Sequence, residues 1–310
     1  MEYARRRNRR RRRRGGDEGG AGRAVVALLM VAAIVYLVSA SAAGEWIAQK
    51  VIAPVIEAFS GGKTTGDGGE NTDLSAEQTS PPSGSSEVSL TTEKNSVSAE
   101  VTLPAVTCYM LQMGVFSTEQ NASTQAELLK TMGGGGYVLQ DGDRYRVLAA
   151  GYTTQESAEE VRDRLKAEGV DCMVYTLTSA AANFRVTAPE DQLESVKSGF
   201  GALAQAQKSL SSTSMMFDAS TGDVDEGKES CANIASALKS GMEVLEGYSD
   251  SGSEVLAKLL ACYAAYEDGL TALAASDAQT LVAFSTQIKY TQLYLTHEYF
   301  KLMEAFGSVA

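Results

Sequence analysis

The chain has 310 residues, 44% of them hydrophobic and 21% charged, which is apolar material for about two folded domains. Its formal charge of −12 is unevenly spread: residues 1–23 hold ten arginines against Glu2, Asp17 and Glu18, a local +7, leaving −19 for residues 24–310. So acidic a body excludes nucleic acid as its partner, since phosphate contacts need clustered Lys and Arg. A single histidine, His297, excludes a zinc hydrolase with two or three His ligands within this chain. Four cysteines without C-x-x-C spacing exclude a zinc ribbon or a thioredoxin-type motif, so no metal and no cofactor is expected.

Residues 24–43, AVVALLMVAAIVYLVSASAA, carry no charge. As a helix they reach about 30 Å, the thickness of a hydrocarbon core. The arginines of residues 1–23 precede them, so the tail is expected in the cytoplasm and the rest outside, a single-pass arrangement in the cell membrane. Trp46, the sole Trp, sits just past the span, where interfacial aromatics settle. The alternative is a cleaved signal peptide, with Ala40-Ser41-Ala42 as the processing site; the span exceeds the usual apolar core of such peptides.

Residues 44–106 read as a juxtamembrane segment followed by a disordered linker. Pro54 breaks a short interfacial helix, and residues 60–105 are Gly, Ser, Thr, Glu and Asp around Pro81-Pro82, too poor in apolar side chains to bury a core. A flexible stretch of that length spans about 35–40 Å on average.

A shift of 36 residues then aligns two segments. Tyr109, Leu111, Phe116, Ser117, Thr118, Ala122, Leu129, Lys130 and Gly133 fall on Tyr145, Val147, Tyr152, Thr153, Thr154, Ala158, Leu165, Lys166 and Gly169. Each copy reads strand, helix, strand, with capping boxes at Ser117/Gln120 and Thr153/Glu156 and glycines closing the helices. Asp141-Gly142 marks the hairpin between them. The expectation for 107–178 is βαββαβ, a ferredoxin-like sandwich with helices on one sheet face and the other face open. Leu111, Met113, Val147 and Ala149 should face the helices by alternation, leaving Gln112, Arg144 and Arg146 on the open side. Strict alternation also turns Phe116 and Tyr152 outward, but Gly114 permits a bulge that returns both to the core.

The motifs YMLQMGVFSTEQNA and YRVLAAGYTTQESAEEVRDRLKAEG resemble the SPOR domain, the sporulation-related repeat of bacterial cell-wall proteins. The resemblance covers about a quarter of the chain. It implies binding to peptidoglycan, favouring glycan strands denuded of stem peptides, on the open sheet face, in cell division or sporulation. Gln112 and Arg146 match polar positions of that face, whereas Arg144 stands where relatives carry an aromatic and Val115 where they carry a small polar residue. An amide and a guanidinium fork suit hydroxyls, acetamides and lactyl carboxylates. As exposed residues, Gln112 and Arg146 should each affect stability by no more than about 0.5 kcal/mol.

Residues 179–310 read as an antiparallel helical bundle of unknown role. A Thr187/Glu190 capping box with Pro189 opens the first helix, Ser276/Gln279 opens the last, and Phe184-Arg185-Val186 is either a short edge strand or a linker. Leu281, Phe284, Ile288, Leu295, Tyr299 and Leu302 form a helical core stripe, and His297 a surface or half-buried residue. The cysteines are read as small apolar residues, since Cys108 and Cys172 start antiparallel neighbours and so lie at opposite ends of the sheet. The fold class expected is thus α+β: a transmembrane helix, a linker, a SPOR-like domain and a bundle. The function expected is non-enzymatic: a membrane-tethered peptidoglycan binder. Two alternatives stay open: a wall hydrolase of the lytic transglycosylase kind, with a buried Glu in a deep groove, or a scaffold whose bundle recruits a protein partner through an apolar patch.

Overall fold

The computed structural model describes residues 86–91, 95–218 and 222–307. The arginine-rich tail, the candidate span 24–43 and the linker up to residue 85 lie outside these residues. Among the described residues no helix is long and apolar enough to cross a membrane.

Strands β3 (Thr107–Phe116), β4 (Tyr137–Asp141), β5 (Arg144–Tyr152) and β6 (Met173–Thr178) form an antiparallel sheet in the order β4-β5-β3-β6. Helices α1 (Glu119–Lys130) and α2 (Gln155–Ala167) cover one face, giving the expected βαββαβ order. The repeat is visible in the caps: Thr118 and Thr154 lie 36 positions apart, and each side-chain oxygen accepts from the backbone N–H three residues on, Asn121 and Ser157. The N-caps thus fall one residue after the Ser117 and Thr153 expected; a hydroxyl stands at both positions, and the chain uses the second. Leu111, Val147, Ala149 and Tyr152 are buried against the helices, with Met113 and Phe116 packed beside them. The register of β3 on β5 slips on both sides of Gln112, the bulge that returns Phe116 and Tyr152 to this core.

The stretch 60–105 is not linker throughout. Strands β1 (Ser86–Ser89) and β2 (Ser96–Leu103) flank β7 (Ala182–Pro189) in a second sheet, β1 parallel and β2 antiparallel to it. Their polar composition hides them, because a sheet buried on one face needs few apolar residues: Val88, Val101 and Leu103 face inward while Ser and Glu alternate outward. Phe184-Arg185-Val186 is accordingly the middle of the central strand, neither edge nor linker. Thr187 pairs with Ser89 on one side and Ser98 on the other, so the Thr187/Glu190 box caps no helix. Helix α3 begins later, at Leu193.

Helices α3 (Leu193–Met216), α4 (Val224–Glu246), α5 (Glu254–Ala274) and α6 (Leu281–Gly307) pack in sequence around Leu203, Tyr263, Tyr266, Phe284 and Tyr299, a core that continues into the three-stranded sheet through Phe184 and Val186. The start of α6 is also later than the Ser276/Gln279 box, with Thr280 Oγ1 accepting from the Ala283 N–H. All four cysteines are buried and free.

The expectation of an open face on the four-stranded sheet is corrected by α6. That helix lies across it: Leu293 and Phe300 pack on Cys108, Met110, Leu139 and Leu148. The approach is close at Gly135, where an added Cβ would stand 2.9 Å from the Tyr290 nitrogen and 3.1 Å from the Ala149 oxygen. α6 also bonds to carbonyls at the end of α1: Thr286 Oγ1 donates to Lys130 O and Ser285 Oγ to Gly133 O. Lys289 Nζ meets Asp218 at 2.5 Å in a nearly buried ion pair that fastens α6 to the end of α3. The bundle and the repeat are therefore packed together and not separate modules on a string.

Candidate functional site

α6 leaves one end of the sheet face uncovered. Residues directly opposite on antiparallel strands share a face, and three such pairs meet there: Gln112 with Met173, Val115 with Arg146, and Asp141 with Arg144. The Arg146 guanidinium organises the group. Nε donates to Asp141 Oδ2 at 2.7 Å, the adjacent NH2 nitrogen lies 2.6 Å from the same oxygen, and the NH1 nitrogen donates to Gln112 Oε1 at 2.6 Å. Its plane sits 4.4 Å from the centre of the Tyr175 ring. A forked cation held by a carboxylate, an amide and an aromatic face has lost most of its rotamer freedom before any ligand arrives.

Gln112 and Arg146 do converge on one face. Their exposure departs from expectation: Gln112 is only 8% exposed and Arg146 is half-buried, with the Gln112 oxygen taken by Arg146. Arg144 is the exposed member, at the rim, with Asp143 at 3.8 Å. Sequence reasoning missed Asp141, taken only as a turn residue, and Tyr175, although the alternation of β6 puts Met173, Tyr175 and Leu177 on this face. Val115 and Met173, 40% and 60% exposed, flank the cluster; with Tyr290 they are the exposed large apolar side chains among the described residues. None of the three lies on α3–α5. The site is therefore a preorganised polar centre between two solvent-facing apolar side chains, a surface suited to an amphipathic ligand.

Beside this platform, under the last turns of α6, runs a groove of about 360 Å³ that shares Asp141 and Tyr175 with it. His297 stands at its wall, half-buried, with Nδ1 2.7 Å from the Tyr137 hydroxyl. Burial, then the nearby Lys301 charge, pushes its pKa below the usual imidazole value, so it is neutral at pH 7. No group of three or more His, Cys, Asp or Glu able to hold a metal occurs among the described residues.

Comparison with protein families matches the SPOR domain over residues 106–176. These residues are a SPOR domain. The match runs from β3 into β6 with both helices, and it includes Gln112, Arg144, Arg146, Asp141 and Tyr175. Comparisons of the chain with curated proteins and with solved structures give no match. A SPOR domain points to peptidoglycan binding in cell division and is a binding module, not a catalytic one. In this chain α6 is built onto the SPOR module and reshapes the face that carries the polar residues, while β1 and β2 pair with β7 beside the bundle.

Proposed function

We propose that this protein holds peptidoglycan glycan strands, favouring those denuded of stem peptides, on the uncovered end of the SPOR sheet, without chemical turnover, while residues 24–43 tether it to the cell membrane with the N-terminus inside. The role lies in division or sporulation, and the α3–α6 layer completes the binding domain. One observation carries the reading: the family match falls on a sheet whose exposed apolar side chains, Val115 and Met173, flank a prearranged Gln112–Arg146–Asp141–Tyr175 cluster.

The chemistry supports a glycan. Sugars present hydroxyls and acetamides around rings with apolar faces. Arg146 occupies the Gln112 carbonyl oxygen, which leaves the amide nitrogen to donate to an acetamide carbonyl. Val115 and Met173 offer apolar contact to ring faces. Arg144, exposed at the rim, is placed to meet a lactyl carboxylate.

The test is co-sedimentation of the full chain with purified sacculi, with and without amidase pretreatment. Pretreatment, which strips stem peptides, should raise binding. Gln112→Ala/Arg146→Ala should lower affinity roughly 3- to 30-fold, one or two hydrogen bonds with some charge assistance. A double variant that stays folded and binds fully would overturn the platform. Release of soluble muropeptides by the purified protein would show a hydrolase instead.

A further inference from the structure

The groove beneath α6 is the feature the platform does not account for. Its floor is the sheet, from Leu139 and Asp141 of β4 across to Tyr175 and Thr178 of β6, and its wall is the last turns of α6, with Phe300 and Lys301. It draws on both outer strands of the sheet, β4 and β6, and it joins the platform through Asp141 and Tyr175. At about 360 Å³ it falls within the range of small-ligand sites, about 300–1,000 Å³. The wall is fixed: Phe300 is buried with Leu139 and Leu148, and His297 is bonded to Tyr137.

We propose that this groove is a second sugar subsite, walled by α6, which takes an uncharged N-acetylated hexosamine unit of the same strand held on the platform. The inference rests on the glycan-binding reading and adds to it the direction in which the strand runs. Three features select such a unit. Apolar Leu139, Leu177 and Phe300 stand beside Gln140 and Thr178, the mixture that a sugar ring with hydroxyl and acetamide groups matches. The one lining Lys, Lys301, is paired with Glu298 at 2.8 Å, and Asp141 is paired with Arg146, while Glu304 adds a second carboxylate to the lining. A ligand bearing its own charges, as a stem peptide does, would meet no uncommitted Lys or Arg there. Finally, a groove that shares Asp141 and Tyr175 with the platform lets consecutive units of one chain occupy both together, so affinity rises with chain length.

Gly307 and Ala180 give a way to fill the groove without touching the platform. Both line it, both are exposed, and a Cβ on Gly307 would meet nothing within 4 Å. The experiment measures binding of the full chain to peptide-free disaccharide and tetrasaccharide of alternating N-acetylglucosamine and N-acetylmuramic acid, with melting curves for every variant. Wild type should bind the tetrasaccharide about 3- to 10-fold more tightly, the worth of one or two further hydrogen bonds. Gly307→Trp and Ala180→Trp should each abolish that preference and leave disaccharide affinity unchanged, whereas Gln112→Ala/Arg146→Ala should weaken both ligands. If the two plugged variants melt like wild type and keep the tetrasaccharide preference, the groove is no subsite, while the platform stands. If wild type binds neither oligosaccharide, the glycan reading fails and the groove falls with it.

Discussion

Replacing Arg146 with alanine should destabilise the protein, against the expectation for an exposed sheet residue. Three losses contribute. The ion pair to Asp141 is worth little, about 0.2–1 kcal/mol, since Asp141 is 44% exposed and the pair is open to solvent. The contact with the Tyr175 ring adds about 0.5–1 kcal/mol. The largest is the bond to Gln112, because that side chain is buried and its oxygen would keep its desolvation cost with no donor, about 1–3 kcal/mol. The three overlap, so the net loss should be about 2 kcal/mol, or about 4–8 °C in Tm for a folded unit of this size. Arg146→Lys keeps a charge but not the fork and should recover only part. Gln112→Ala removes the stranded oxygen, so the double variant should cost less than the sum of the singles by about 1 kcal/mol. Urea and thermal denaturation of the four variants beside wild type measure all of this. An Arg146→Ala variant within about 0.5 kcal/mol of wild type, with no coupling to Gln112, would mean that the cluster does not form in solution.

Lys289→Ala should cost about 3–5 kcal/mol in denaturant melts, because it strands the Asp218 carboxylate in a nearly buried site between α3 and α6. Residues 107–178 expressed alone should bind a hydrophobic dye and tend to aggregate, since Cys108, Met110, Leu139 and Leu148 lose Leu293 and Phe300, each large side chain forfeiting about 1.5–3 kcal/mol. The native thiols should resist alkylation at pH 8 and all four should react in denaturant: burial pushes Cys108, Cys231 and Cys262 up to about 12 and raises Cys172 as well. The same shifts fix a sign. Above pH 9 the unfolded thiols ionise while the folded ones stay protonated, so stability should decline as pH rises from about 9 towards 12, and a flat profile there would contradict the burial.

The repeat was legible because each copy carries its own local instructions. Thr118 and Thr154 cap, Gly133 and Gly169 stop the helices at φ of 86° and 82°, and Leu111 and Val147 alternate inward. The three-stranded sheet was not, since β7 lies some eighty or more residues beyond β1 and β2 and each strand buries only one to three side chains. Nor was the cover on the SPOR face. One stripe on α6, from Leu281 to Leu302, already accounted for a bundle core. Leu293, His297 and Phe300 form a second stripe at spacings of four and three, and a helix apolar on two faces is the sign of one packed on two sides. Gln112 and Arg146 were rightly placed on one face, but alternation gives direction and not distance, so their mutual bond could not be read.

The position of α6 in the chain has a kinetic consequence. β6 ends at Thr178, yet the helix that shields the sheet begins only at Leu281. Ser285 reaches Gly133 across 152 residues, and Tyr299 reaches Pro104 across 195. Contacts so remote in sequence form late and slow the search for the native state. As the polypeptide emerges, the repeat can assemble its inner core early, but its other side stays bare until residues 281–307 have followed. During that interval the half-finished sheet is a sticky surface that a holding chaperone would have to occupy. A nonsense or frameshift change within residues 281–307, far downstream of the SPOR segment, should therefore disable it as surely as a lesion inside it.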